Sequence, residues 1–177
     1  MKYLAFLRGI NVGGNTKVPM IDLKKAFAEL GFMDSKTLLN SGNVVFFSTE
    51  KDTRLLRQKI ELKLETTFGF AIRTIVRPSD EIKSLVTADP FKTITITPET
   101  RLYVTFLSDA PASGLKIPYE SPEKDFRILC VSNQAICSVL ILSPKRGTVD
   151  VMSFIEKEFG RNVTTRSWNT VKKLAAL

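Results

Sequence analysis

Apolar residues follow two kinds of spacing along the chain, and the order in which those spacings alternate predicts the fold class. Residues 2–7 form a short run of aromatic and aliphatic side chains that reads as a strand. After a Gly-rich loop from Arg8 to Val18, Pro19 opens a helix in which Met20, Leu23, Phe27 and Leu30 recur at helical spacing, and Gly31 supplies its stop. Thr37-Leu38-Leu39 and Val44-Val45-Phe46-Phe47 flank Asn40-Ser41-Gly42-Asn43 and read as a hairpin. Leu56, Ile60, Leu64 and Phe68 then stack at i+4 in a second helix, from Asp52 to Phe68 and ended by Gly69, and residues 70–77 return as a strand before Pro78. The order is βαββαβ.

A short helix capped by Ser79 follows, with Ile82, Leu85 and Val86 on its apolar face, and residues 89–100 read as a connector. Leu102, Val104 and Phe106 alternate with Tyr103 and Thr105 in a strand, and a Pro/Ser/Gly-rich loop runs from Ser108 to Pro122. Phe126–Val131 and Ala135–Leu142 form a hairpin around Asn133-Gln134. Thr148 caps a helix with Val151, Met152, Ile155 and Phe159 inward; a strand at 163–165 and a helix at 167–177 close the chain. Leaving out the helix after Pro78, this half repeats the first with its first helix replaced by a loop. The βαββαβ order is the ferredoxin-like pattern, so the expected class is α+β, with two tandem ferredoxin-like halves with antiparallel sheets. The halves are expected at 1–78 and 79–177, the second with an extra C-terminal helix, joined in one compact unit because each would otherwise leave an open sheet face.

Composition then narrows the chemistry. The 177 residues include no histidine and two cysteines. That excludes Ser-His and Cys-His nucleophile pairs, histidine bases and His-containing metal sites, and two thiols alone cannot close a structural zinc site. No metal or cofactor is called for. Residues 1–8 lack the h-region of a signal peptide, and no stretch is long enough for a membrane span, so a cytoplasmic protein with reduced cysteines and no membrane partner is expected. A two-residue turn at Asn133-Gln134 sets Cys130 opposite Cys137, both expected as buried, reduced packing residues rather than a redox pair. The net charge of +8 divides into +6 over residues 1–78, −2 over 79–160 and +4 over 161–177. A basic surface forms if the first and last segments meet; otherwise Lys24, Lys25, Lys59 and Lys63 are solvated helix faces.

Three segments carry candidate chemistry. Arg8-Gly9-Ile10-Asn11-Val12-Gly13-Gly14-Asn15-Thr16-Lys17 offers backbone amides that can cradle an anion. It falls short of a nucleotide-hydrolysing P-loop: the lysine that should follow Gly14 is missing and Pro19 replaces an immediate helix. Its structural reading is a tight crossover tied by its own side chains. Asn40-Ser41-Gly42-Asn43 reads as turn chemistry near the end of the central strands that the first loop also reaches. In Thr164-Thr165-Arg166-Ser167-Trp168-Asn169-Thr170-Val171, Arg166 sits just ahead of a helix N-terminus, where a cation is disfavoured unless an anion compensates it. Trp168, Val171, Leu174 and Ala175 share a core face. The aromatic third strand also echoes RNA-recognition modules, with Tyr3 or Phe6 on the first strand as stacking partners, although the Lys/Arg-Gly opening is absent.

With these motifs together the chain resembles the bacterial family called domain of unknown function 1697. The resemblance rests on Arg8 to Gly14, on Met20 to Phe32 with its Leu30-Gly31-Phe32 ending, on Ser41-Gly42-Asn43-Val44, and on Thr165 to Val171 with Leu174. It implies a duplicated ferredoxin-like fold and no established activity. Members commonly carry a lysine near Asn15, and many have a tyrosine-glycine-lysine segment where this chain has Leu142 to Gly147, so roles of those family residues do not transfer.

The residue types that match are donors and orienters, with no carboxylate or histidine among them. The leading expectation is therefore a binding protein in which Arg8, Asn11, Gly13, Gly14, Ser41, Asn43, Arg166 and Asn169 line one site for an anionic small molecule bearing phosphate, or for a nucleic-acid backbone. Two alternatives stand beside it. An enzyme would use the same donors with Lys17, Lys172, Lys173, Asp22 or Tyr3 as proton carrier. A structural role would have Arg8 and Arg166 pin the two halves together. Oligomeric state is left open.

Overall fold

A computed structural model describes residues 1–12, 16–39, 42–111, 113–143 and 150–177. The fold is α+β, with two antiparallel sheets of four and five strands and five helices among the described residues. The chain divides into two compact units, Met1–Lys83 with Leu174–Leu177, and Ser84–Lys173. Among the described residues no helix is long and apolar enough to cross a membrane.

The first unit runs β1 (Lys2–Leu7), α1 (Met20–Glu29), β2 (Met33–Leu38), β3 (Asn43–Phe47), α2 (Thr53–Phe68) and β4 (Thr74–Pro78), with sheet order β2-β3-β1-β4. Tyr3, Ala5 and Leu7 of β1 share one core with Phe27 of α1, Phe46 of β3, and Leu56, Ile60 and Leu64 of α2, all at most 1% exposed. The i+4 ladder on α2 is thus the buried stripe its spacing predicts. Asp52 caps that helix by accepting from the amides of Arg54 at 2.7 Å and Leu55 at 3.4 Å, and Gly69 ends it at φ +80°. Phe46 is the hub of the aromatic cluster: its centroid lies 4.5 Å from Phe32, 5.5 Å from Phe27 and 5.7 Å from Tyr3. Leu4, Phe6 and Val45, on the opposite face, are at most 2% exposed. The RNA-recognition expectation therefore fails, because Tyr3, Phe6 and Phe46 are core and offer no ring to stack a base.

A third helix, α3 (Ser79–Ala88), starts on the residue after β4. Ser79 is its first residue, and its buried hydroxyl makes no hydrogen bond among the described residues, so it does not cap the helix as the sequence predicts. The second unit continues with β5 (Thr100–Leu107), β6 (Tyr119–Glu120), β7 (Phe126–Ser132), β8 (Ala135–Ile141), α4 (Val151–Phe159), β9 (Val163–Ser167) and α5 (Trp168–Ala175), in sheet order β6-β7-β8-β5-β9. Leu107, Phe126, Ile128, Ile136, Ile155 and Val163 form its core. Asn133 and Gln134 both hold positive φ, +47° and +59°, as a type I′ turn requires. Asp150 caps α4 by accepting from Ser153 N at 3.0 Å; Thr148, the predicted cap, lies outside the described residues. β6 breaks what reads as one long loop, and β2 starts four residues earlier than its apolar run suggests.

Register exposes a correspondence between the units. β1 reads Tyr3-Leu4-Ala5-Phe6-Leu7 and β5 reads Tyr103-Val104-Thr105-Phe106-Leu107. Leu4 pairs with Arg77 on β4, and Val104 pairs with Arg166 on β9. Each arginine is the penultimate residue of its strand, each is buried, and a helix begins two residues later.

Removing the hub ring should show where stability resides. Phe46→Ala is expected to cost about 3–5 kcal/mol, whereas Leu62→Ala, on the exposed face of α2, should stay within about 0.5 kcal/mol. Urea unfolding of the two variants checks this.

Candidate functional site

The first motif folds back on itself. Gly9 and Asn11 take positive φ, and the loop closes through Asn11 N to Thr16 O at 2.9 Å and Thr16 Oγ1 to Gly9 O at 2.7 Å. The Asn11 side chain pairs with Val18 in both directions: Nδ2 donates to the carbonyl at 3.1 Å and Oδ1 accepts from the amide at 2.9 Å. Asn11 thereby replaces a missing backbone partner. Arg8 continues from β1 with its amide on Arg73 O at 2.8 Å. Gly13 and Gly14 lie outside the described residues, as do Asn40 and Ser41.

The second motif meets the first, as its position predicts. Leu7 N donates to Gly42 O at 2.8 Å. Gly42 sits at φ +71°, and a Cβ there would fall 2.8 Å from both Leu7 Cβ and Ile10 Cδ1, so only glycine lets the two loops approach. Asn43 is wholly buried and donates Nδ2 to Leu38 O at 3.0 Å, tying the hairpin. The amides of Asn11 and Asn43 thus serve the backbone.

In the second unit, Arg166 lies on β9 with 9% exposure. Its Nη1 donates to Thr164 Oγ1 at 2.8 Å and to the Thr165 carbonyl at 2.9 Å. Burial pushes its guanidinium down to about 10, still far above neutrality, so the charge persists. Arg77, its counterpart on β4, is lowered by burial and partly restored by Glu81, 3.9 Å away.

Asn169 stands apart from these: it is exposed and lines a cavity of about 500 Å³ at the start of β5 and the first turns of α5. Two cations, Arg101 and Lys172, also line it, together with Tyr103, Ser167 and Trp168, and Ile96 and Leu102 supply apolar wall. No carboxylate is among the lining residues. Arg101 Nη1 is steadied by the carbonyls of Pro98 at 2.7 Å and Thr100 at 2.9 Å. Ser167 Oγ accepts from Thr170 N at 3.3 Å and so caps α5. Phe91 holds the Trp168 ring edge-on at 5.0 Å, and Trp168, Val171 and Leu174 are buried as their helical spacing predicts. Of the expected site residues, Arg8, Asn11 and Asn43 belong to the first unit and Arg166 and Asn169 to the second. Sequence reasoning missed Arg101 and Tyr103, although the repeated Tyr-x-x-Phe-Leu run marks where Tyr103 stands.

This chain belongs to the family described as "Protein of unknown function (DUF1697)", whose model matches residues 1–129. That match ends before β8, so the segment from Thr164 to Val171 lies beyond it. No curated protein matches. Among solved structures, the chain is similar to the conserved bacterial protein SP0830 from Streptococcus pneumoniae, with a TM-score of 0.75 and 20% identity over 99% of this chain and 97% of that one. At that identity the likeness concerns the fold.

The two classes of asparagine should separate on substitution. Asn43→Ala removes a wholly buried side chain that ties the hairpin through Leu38 O and is expected to cost about 1–3 kcal/mol, while Asn169→Ala should shift stability by no more than about 0.5 kcal/mol. Thermal melts of both variants decide the matter.

Proposed function

We propose that this DUF1697 protein binds an anionic small molecule bearing a phosphate group, with the charged group held in the cavity of the second unit. The observation that carries this reading is the convergence of Arg101, Lys172 and the amino end of α5 on one cavity without a carboxylate. A guanidinium offers a phosphate two parallel donors, an ammonium adds a point charge, and the first amides of a helix point at an anion placed there. Ser167 and Asn169 add neutral polar groups, while Ile96, Leu102 and the Trp168 ring favour a ligand whose body is apolar or aromatic. Such a site recognises charge and has no built-in base, which accords with a chain that lacks histidine.

A structural role suits the remaining motif residues better, and the hydrogen bonds of Asn11, Asn43 and Arg166 to their own neighbourhood support it. We also infer that the two units are tandem ferredoxin-like halves that arose by duplication. The shared Tyr-x-x-Phe-Leu strand and the matching Leu4–Arg77 and Val104–Arg166 registers support that origin. A cytoplasmic location fits two unbridged thiols.

Isothermal titration with inorganic pyrophosphate, against chloride at matched ionic strength, tests the binding reading. Heat of binding is expected with the wild type and with Arg8→Met. Arg101→Met and Lys172→Met should each weaken binding roughly ten- to a hundredfold, as loss of one charge-assisted contact does. Equal affinity in all four proteins would overturn the site. Binding of a single-stranded oligonucleotide that collapses between low and moderate salt would instead assign the charge to a nucleic-acid backbone.

A further inference from the structure

The chain's two cysteines are directly opposed in the second sheet, Cys130 on β7 and Cys137 on β8. Residues facing each other on antiparallel strands have Cα atoms about 4.5–5.5 Å apart. That lies inside the roughly 4.4–6.8 Å a disulfide spans. The two thiols differ in access. Cys137 is 1% exposed, whereas Cys130 is half-buried, so the expectation of two buried packing thiols holds for one of them only. Strand order explains the difference: β6 pairs only with Arg127 and Ile128, which leaves Cys130 beyond its end, next to the register shift between Ile128 and Cys130. A bulge of this kind adds local twist at a sheet edge.

We propose that Cys130 and Cys137 form a redox-modification site, in which Cys130 takes up half of a low-molecular-weight disulfide and Cys137 resolves the adduct into a cross-strand bond. In the first step the Cys130 thiolate attacks one sulfur of the small disulfide; a Cys130–S bond forms, the small S–S bond breaks, and one small thiolate leaves. In the second, the Cys137 sulfur attacks Cys130 Sγ, loses its proton to solvent and expels the second small thiolate. Two protein thiols are oxidised by two electrons, and the small disulfide is reduced to two thiols.

The local chemistry suits this division of labour. The Cys137 thiol donates to Cys130 Sγ, and its backbone amide assists, which outweighs partial burial and lowers the Cys130 thiol to about 7. That same hydrogen bond, together with burial and the charge of Cys130, holds Cys137 well above the ordinary thiol range. The more accessible, half-buried sulfur is thus the attacking one, and the wholly buried sulfur becomes competent once the Cys130 charge is spent in the adduct.

Oxidised glutathione is the probe, with intact-mass spectrometry of the folded protein after acid quench. Wild type should pass through a transient glutathione adduct and end two hydrogens lighter. Cys137→Ser and Cys137→Ala, each checked for folding by its melt, should stop at a stable adduct, and Cys130→Ser should remain unmodified. Adduct formation should rise with a midpoint near pH 7 and level off above it, where an ordinary thiol would still be climbing. A stable adduct on wild type would overturn the resolving role of Cys137, and modification of Cys130→Ser at the wild-type rate would overturn the attacking role of Cys130.

Discussion

Water reaches neither face of β1 from Tyr3 to Leu7. Tyr3, Ala5 and Leu7 point into the helix-covered core and Leu4 and Phe6 point the other way, yet none is more than 1% exposed, and the inner part of β5 is enclosed in the same manner. Polar groups beside these strands have to find partners from within, and Ser138 Oγ on β8 goes without one among the described residues. Asn43 finds the Leu38 carbonyl, Thr105 Oγ1 meets Thr165 Oγ1 at 2.7 Å, and Arg166 turns onto Thr164 and its own strand. A buried group left unpaired costs about 1–3 kcal/mol, a large share of the roughly 5–15 kcal/mol by which a domain is stable. The polar residues that line these strands are therefore held in place by the dryness around them.

Double-sided burial also explains what could be read from the chain. β1, β3, β5 and β8 announce themselves as apolar runs because both of their faces are enclosed, and α2 does so through Leu56, Ile60 and Leu64. Two of the edge strands are harder to read. β2 begins with Met33-Asp34-Ser35-Lys36, where Asp34 takes φ +50° and the pairing slips, so no period-2 pattern exists to be found. β6 has two residues and no pattern at all. The starts of α3 and α5 fall within one residue of where the sequence places them, although strand passes to helix without a linker.

Of the residues read as a candidate site, Asn169 lines the cavity of the second unit, whereas Asn11, Asn43 and Arg166 bond to their own neighbourhood. Asparagine offers the same donor and acceptor to a ligand as to a peptide group, so Asn11 and Asn43 look like ligand residues until their partners are seen to be Val18 and Leu38. Arg166 carries its signal through position, ahead of a helix, but the strand it occupies turns it inward. Arg101 is the second residue of a strand whose other residues are mostly buried, and nothing in spacing alone sets it apart from a solvated charge. The matching Tyr-x-x-Phe-Leu runs would have pointed to this region, since Tyr103 stands in β5 where Tyr3 stands in β1 and the cavity lies at its side.

The flaws that hide β2 and β6 have a use of their own. An outer strand with free amides and carbonyls is a template on which another chain can grow a sheet. β2 presents Asp34 and Lys36 across a bulge, and β6 offers two residues of ladder. Neither gives an incoming strand the straight, uncharged run it needs to zip up. The irregularities that obscure these strands in the sequence thus blunt one outer strand of each sheet as a template for a further chain.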